Sequence, residues 1–169
     1  MAVEFDRLRA EIPENYGLVL ELNSPGGFVS ETLKLIGFLR QEARQRLLIT
    51  SVENGELCGS ACVLLFVQGT RRFAGEVSAF MFHGAALFGS NIPDAVKTND
   101  SLNIFRDAGV REDWLQEKIK QGVFSKPGRY WISGKELVDE KSEIVQRLME
   151  RHEVEEPIEL PYDPSIRPR

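Results

Sequence analysis

Apolar and polar positions recur along this chain with two periods, and the switches between them delimit its elements. Phe5, Leu8 and Ile12 fall at helical spacing over residues 4–13, and Pro13 ends that segment. Residues 17–23 form a nearly continuous apolar run, the pattern of a buried parallel strand. After Ser24-Pro25-Gly26-Gly27, the positions Val29, Leu33, Ile36 and Leu39 mark one face of a helix over about 28–45. A second strand is predicted over 47–52, with a turn at 53–56. A short apolar helix then opens at Ser60, and Gly69 is its expected stop.

Further strand material lies at 71–73 and 77–82, and the second of these runs ends at His83. Residues 84–101 lack a clear period and read as a loop over the strand ends. Residues 102–121 read as a helix in two pieces broken near Gly109. Tyr130-Trp131-Ile132 suggests a strand, and Ser133 with Glu136 three residues on suggests a capping box. A charged helix is expected over 138–153. Pro157, Pro161, Pro164 and Pro168 then mark an extended tail. One domain over 1–153 and a tail over 154–169 follow.

Strand, turn and helix come twice in succession, which predicts an α/β fold of stacked βα units with a mostly parallel sheet and flanking helices. In such a sheet, ligands collect beyond the carboxyl ends of the strands. The 24–27 turn, Ser60 and His83 all fall at such ends.

Composition narrows the function classes. The 169 residues are 42% hydrophobic and 28% charged, ordinary for a globular domain. A net charge of −5 gives no reason to expect nucleic acid or an anionic membrane surface as partner. No apolar stretch reaches the roughly 18 residues of a transmembrane helix. The polar start is not a secretory signal, so the chain as it stands is expected to be cytoplasmic, or exported or periplasmic if a leader has been removed.

Candidate chemistry centres on Ser60, between Cys58 and Cys62. A hydroxyl at a helix start lies where developing negative charge is best tolerated. His83 is an available base. Glycines after a buried strand let backbone N–H groups turn toward a substrate carbonyl. Together these are the parts of an acyl-transfer site. Cys58 and Cys62 read most simply as small buried side chains packed around Ser60. A local disulfide is the second option, and zinc on Cys58, Cys62, His83 and His152 the third. No metal and no cofactor are expected.

The order Leu22-Asn23-Ser24-Pro25-Gly26-Gly27, helix, strand, Gly59-Ser60-Ala61, then Phe82-His83 resembles the ClpP-type serine peptidases of the ClpP/crotonase fold. The resemblance covers residues 17–88 well and 102–145 loosely. The Cys-x-Ser-Ala-Cys form is similar to a branch of ClpP-like proteins often exported in bacteria. It implies Ser60 as nucleophile and His83 as general base. The N–H groups of Gly26 and Ala61 would form the oxyanion hole. Gly27 and Phe28 would line the path of an extended peptide or unfolded protein. It also implies a homo-oligomer assembled through 102–121, for which Phe105, Trp114 and Leu115 are expected to be exposed.

Two features depart from that pattern. The acid that orients the histidine belongs near Tyr130, where this chain has Gly128-Arg129. Asp113, Asp107, Asp139, an asparagine or a backbone carbonyl would have to substitute. Loss of the orienting carboxylate costs on the order of 10⁴ in turnover. ClpP-like domains also begin with a strand hairpin, and the few residues before the first strand leave that edge absent or supplied by another chain. Three rival readings follow: an inactive ClpP-fold module that binds peptides or scaffolds, a crotonase-like acyl-thioester enzyme, and a Ser–Lys enzyme of the signal peptide peptidase A type. The last would use Lys97, Lys118, Lys120 or Lys126.

Overall fold

The computed structural model describes residues 7, 11–13, 15–86 and 92–149. The expected helix over 4–13, the centre of the 84–101 segment and the proline-bearing tail therefore lie wholly or mostly outside the described residues. Arg7 is helical, and 11–13 run into a turn.

Seven strands and five helices make up the described chain. They are β1 (Leu18–Glu21), α1 (Val29–Gln45), β2 (Leu48–Val52), β3 (Leu57–Gly59), α2 (Ala61–Phe66), β4 (Arg71–Ala74) and β5 (Ala79–Phe82), followed by α3 (Ala95–Asp107), α4 (Glu112–Gln121), β6 (Tyr130–Ser133), α5 (Gly134–Asp139) and β7 (Arg147–Leu148). The first sheet has the order β1-β2-β4-β7, parallel throughout. The second has the order β3-β5-β6, with β3 parallel to β5 and β6 antiparallel to it. The fold is α/β with a mostly parallel sheet and flanking helices, as the strand–turn–helix succession predicts.

Helix α1 buries Thr32, Leu35, Ile36, Leu39 and Glu42, a stripe at 3.6 spacing. Of the expected face, Ile36 and Leu39 are buried and Leu33 is not. Leu33 is 47% exposed, and Leu35 takes the core position. Helix α2 packs against α1 and the second sheet, with Val63 and Phe66 fully buried. Phe66 meets Phe80 edge-on at 5.1 Å between ring centroids. Phe82 stacks toward Phe105 and Trp114 at 6.0 and 5.6 Å. Phe105, Trp114 and Leu115 are thus buried inside the chain and not exposed. The surface expected to drive self-association is used in this chain's own core.

Three boundaries differ from the pattern reading. Helix α3 begins within the expected loop because Asp94 caps it, accepting a bond from the Lys97 N–H at 2.9 Å. The short strand β3 precedes Ser60. Over the described part of the expected 138–153 span, residues 140–149, the charged helix does not form. Helix α5 starts at the predicted capping box of Ser133 and Glu136 but stops at Asp139. Lys141 and Glu143 then adopt positive φ values of 52° and 61°. That turn drives Ile144 and Val145 into the core and lets β7 pair with β4. Burial of those side chains overrides local helix propensity.

Arg72, only 5% exposed, ties this region together. Its guanidinium donates to the carbonyls of Val67, Ala108 and Glu143 at 3.2, 3.0 and 2.6 Å. Removing it leaves carbonyls on three separate segments, that of Val67 buried, without this donor. Arg72→Met is therefore expected to lower unfolding free energy by about 3 kcal/mol or more, read from the midpoint of urea denaturation. A loss under about 1 kcal/mol would contradict this role.

Candidate active site

Parallel pairing of β3 with β5 sets Gly59 opposite Met81. The Ser60 N–H donates to the Met81 carbonyl at 2.7 Å, one step past that pair. Two residues beyond Met81 stands His83. The serine and the histidine thus leave adjacent strand ends, about one strand spacing apart.

Ser60 has φ 54° and ψ −121°, a conformation rare for a residue with a Cβ. Backbone outliers of this kind cost about 1–3 kcal/mol and concentrate at functional positions. Ser60 occupies the N-cap position of α2 but makes no side-chain capping bond. Its hydroxyl is left to a cavity of about 230 Å³, which Ser60 lines together with Gly27, Ala61, His83, Ser101 and Phe124. Leu64, Met81, Phe82 and Phe105 add apolar wall.

The 24–27 turn is pressed onto this elbow. Ser24 bridges to Cys58: the Ser24 N–H donates to the Leu57 carbonyl at 2.8 Å, and the Gly59 N–H to the Ser24 carbonyl at 2.9 Å. Gly26 has φ 116°, and a Cβ on it would come within 2.8 Å of the Ser60 Cβ and 3.3 Å of the Ala61 nitrogen. A Cβ on Gly59 would meet the Pro25 carbonyl at 2.8 Å. Both positions need glycine for the two backbones to touch. The Gly26 N–H donates to the Ser24 Oγ at 3.2 Å. Gly27, next along, lines the cavity, and Phe28 at the end of the turn is 64% exposed.

His83 is half-buried. Its Nδ1 lies 2.6 Å from the Gly84 carbonyl. A carbonyl only accepts, so Nδ1 carries the proton and the Nε2 lone pair is free in the neutral ring. The three expected acids are engaged elsewhere. Asp113 pairs with Arg111, Asp107 with Arg40 at 3.3 Å, and Asp139 with Lys135 at 2.8 Å. The Arg111 hydrogen bond holds the Asp113 carboxyl below its usual range. No carboxylate bonds His83 among the described residues, and none lines the cavity.

The lysines are also displaced from Ser60. Lys118 is buried against Tyr130 and Glu140, at 3.0 Å from the Tyr130 hydroxyl and 3.1 Å from the carboxylate. Burial works against its charge, but those two partners outweigh it and hold its pKa above the usual lysine value. It does not line the Ser60 cavity. Lys97 and Lys120 do not line the Ser60 cavity, and Lys126 faces a neighbouring one.

Cys58 and Cys62 form a disulfide, with 5.3 Å between their Cα atoms. This corrects the reading of them as free packing side chains. It also removes both sulfurs as zinc ligands. Ser101, Phe124 and the Gly84 carbonyl were not legible as site groups. The first two come from distant segments, and a backbone carbonyl has no residue signature.

No family model matches the chain, and no curated protein matches it. Among solved structures, the chain is similar to a crystal structure of a peptidase from Plasmodium falciparum, with a TM-score of 0.63 and 12% identity. The match covers 88% of this chain and 85% of that one. At that identity the likeness is one of fold alone, an α/β architecture.

The disulfide carries a direct check. Denatured, unreduced protein is expected to show no reactive thiol in a colorimetric titration, and two per chain after reduction. Replacing both cysteines by alanine is expected to cost about 2 kcal/mol, the loop-closure value for so short a ring, measured by thermal unfolding.

Proposed function

We propose that the chain is a serine hydrolase that cleaves peptide bonds, with Ser60 as nucleophile and His83 as general base. One observation carries this reading. A serine in a strained, uncapped backbone conformation shares a cavity with a histidine whose Nδ1–H is already fixed by a backbone carbonyl.

In the proposed reaction, the His83 Nε2 takes the proton of the Ser60 hydroxyl as Oγ attacks the substrate carbonyl. The tetrahedral oxyanion is met by the N–H groups of Ala61 and Gly26, the latter turning from the Ser24 hydroxyl. The imidazolium then protonates the leaving amine, and water reverses the sequence to free the acid. The Gly84 carbonyl does the orienting work of the absent carboxylate, without its full charge. That substitution is consistent with slow turnover. The substrate strand would run past Gly27 and Phe28. A disulfide beside the nucleophile fits an oxidising compartment.

A second reading, a catalytically inactive module that binds peptides, is favoured by one specific fact: all three candidate aspartates are engaged away from His83. A fluorophosphonate probe separates the two. Ser60 is expected to label covalently, and Ser60→Ala to abolish labelling. His83→Ala is expected to slow labelling by about 10²–10⁴-fold. A folded wild-type chain that never labels would favour the binding module. Coenzyme A thioester turnover surviving Ser60→Ala would instead point to crotonase-like chemistry.

Gly26→Ala tests the turn. The added Cβ displaces the bend from Ser60 and Ala61, so labelling is expected to slow at least about tenfold, of the order of one lost oxyanion donor. An unchanged labelling rate would remove Gly26 from the oxyanion site.

A further inference from the structure

His83 is the wall between two cavities. On its far side from Ser60 lies a space of about 510 Å³, lined by His83, Gly84, Ala86, Pro93, Lys126, Pro127, Gly128 and Arg129. Two of these side chains are cations. Neither Lys126 nor Arg129 makes an ion pair or a side-chain hydrogen bond among the described residues. Several other cations are paired among the described residues: Arg40, Arg46, Arg106, Arg111, Lys118 and Lys135 each hold a carboxylate. The segments that wall the space offer no acid. The sequence has no Asp or Glu from 83 to 93, nor from 118 to 135.

The walls are also fixed. Ala86 pairs with Pro93 in a short antiparallel bridge, and the Asp94 N–H donates to the Ala85 carbonyl at 2.7 Å. The Lys126 N–H is held by the Gly122 carbonyl at 3.0 Å. Two unpaired cations beside an imidazole, in a concave space without a counter-charge, form a receptor for an anion. The two cavities share His83 and Ala86. Whatever occupies the far one therefore lies next to the His83 that faces Ser60.

We propose that this space is an anion subsite that takes a carboxylate of the peptide bound at Ser60, held by Lys126 and Arg129. The inference rests on the hydrolase reading above and gives it a substrate class: peptides with an acidic group close to the bond presented to Ser60. The carboxylate belongs either to an Asp or Glu side chain or to a free chain terminus. It also sets a negative charge beside His83, which favours the imidazolium formed when the ring takes the serine proton.

The test uses the full chain carrying Ser60→Ala, so that nothing is turned over. Three peptides with one shared apolar core are titrated by calorimetry: a neutral amidated one, the same with a free terminal carboxylate, and an amidated one with a single aspartate. At least one carboxylate peptide is expected to bind about tenfold tighter than the neutral one, the scale of a charge-assisted contact. Which of the two wins identifies the source. The advantage is expected to vanish in Lys126→Met/Arg129→Gln and to survive in Lys126→Arg, with folding checked by circular dichroism. Equal affinity for all three peptides overturns the proposal. So does an advantage that persists in the double variant, or no binding at all. Fluorophosphonate labelling of the wild-type chain, run in parallel, shows whether the hydrolase reading has failed or this subsite alone.

Discussion

The parallel pairing of β3 with β5 is the constraint on which the site rests. It is three residues long, and it sets Gly59 opposite Met81 so that the Ser60 N–H reaches the Met81 carbonyl. A slip of one residue would turn every side chain to the other face and carry Ser60 away from His83. The antiparallel pairing of β5 with β6 holds β5 from its other side. Phe80 and Ile132, opposite one another in that pairing, are both buried. Core packing thus fixes the register that aligns the serine with the histidine.

The elbow at Ser60 is locally unfavourable, and three features around it offset the cost. The disulfide closes a short ring around the strained residue. The Ser24–Cys58 bridge docks the glycine turn against it. Helix α2 behind it is almost entirely buried, so the first turn cannot relax outward. Strain held by its surroundings in this way keeps a side chain where local preference would not leave it.

Electrostatically, the site is sparse. Several carboxylates among the described residues are matched with nearby cations, as Asp113 is with Arg111 and Asp139 with Lys135. Around His83 the balance is reversed: a backbone carbonyl on one nitrogen, and Lys126 and Arg129 in the adjoining wall. A histidine so placed is oriented, and no carboxylate bonds it among the described residues. That distinguishes geometry from chemical drive. The ring is aimed by a dipole.

The sequence alone determined the βα succession, the ends at which Ser60 and His83 emerge, the glycine turn and the Ser133 capping box. These are local signals: periodicity, turn chemistry and caps act within a few residues. The tertiary structure decided what local signals do not carry. It chose Leu35 over Leu33 for the core face of α1, because rotation about a helix axis is settled by the partner it packs on. It ended the helix predicted over 138–153, because burying Ile144 and Val145 outweighs helix propensity. It buried Phe105, Trp114 and Leu115, joined Cys58 to Cys62, and gave His83 the Gly84 carbonyl in place of a carboxylate. Each of these is a choice between partners distant in sequence or a matter of backbone direction, and neither leaves a mark in residue type.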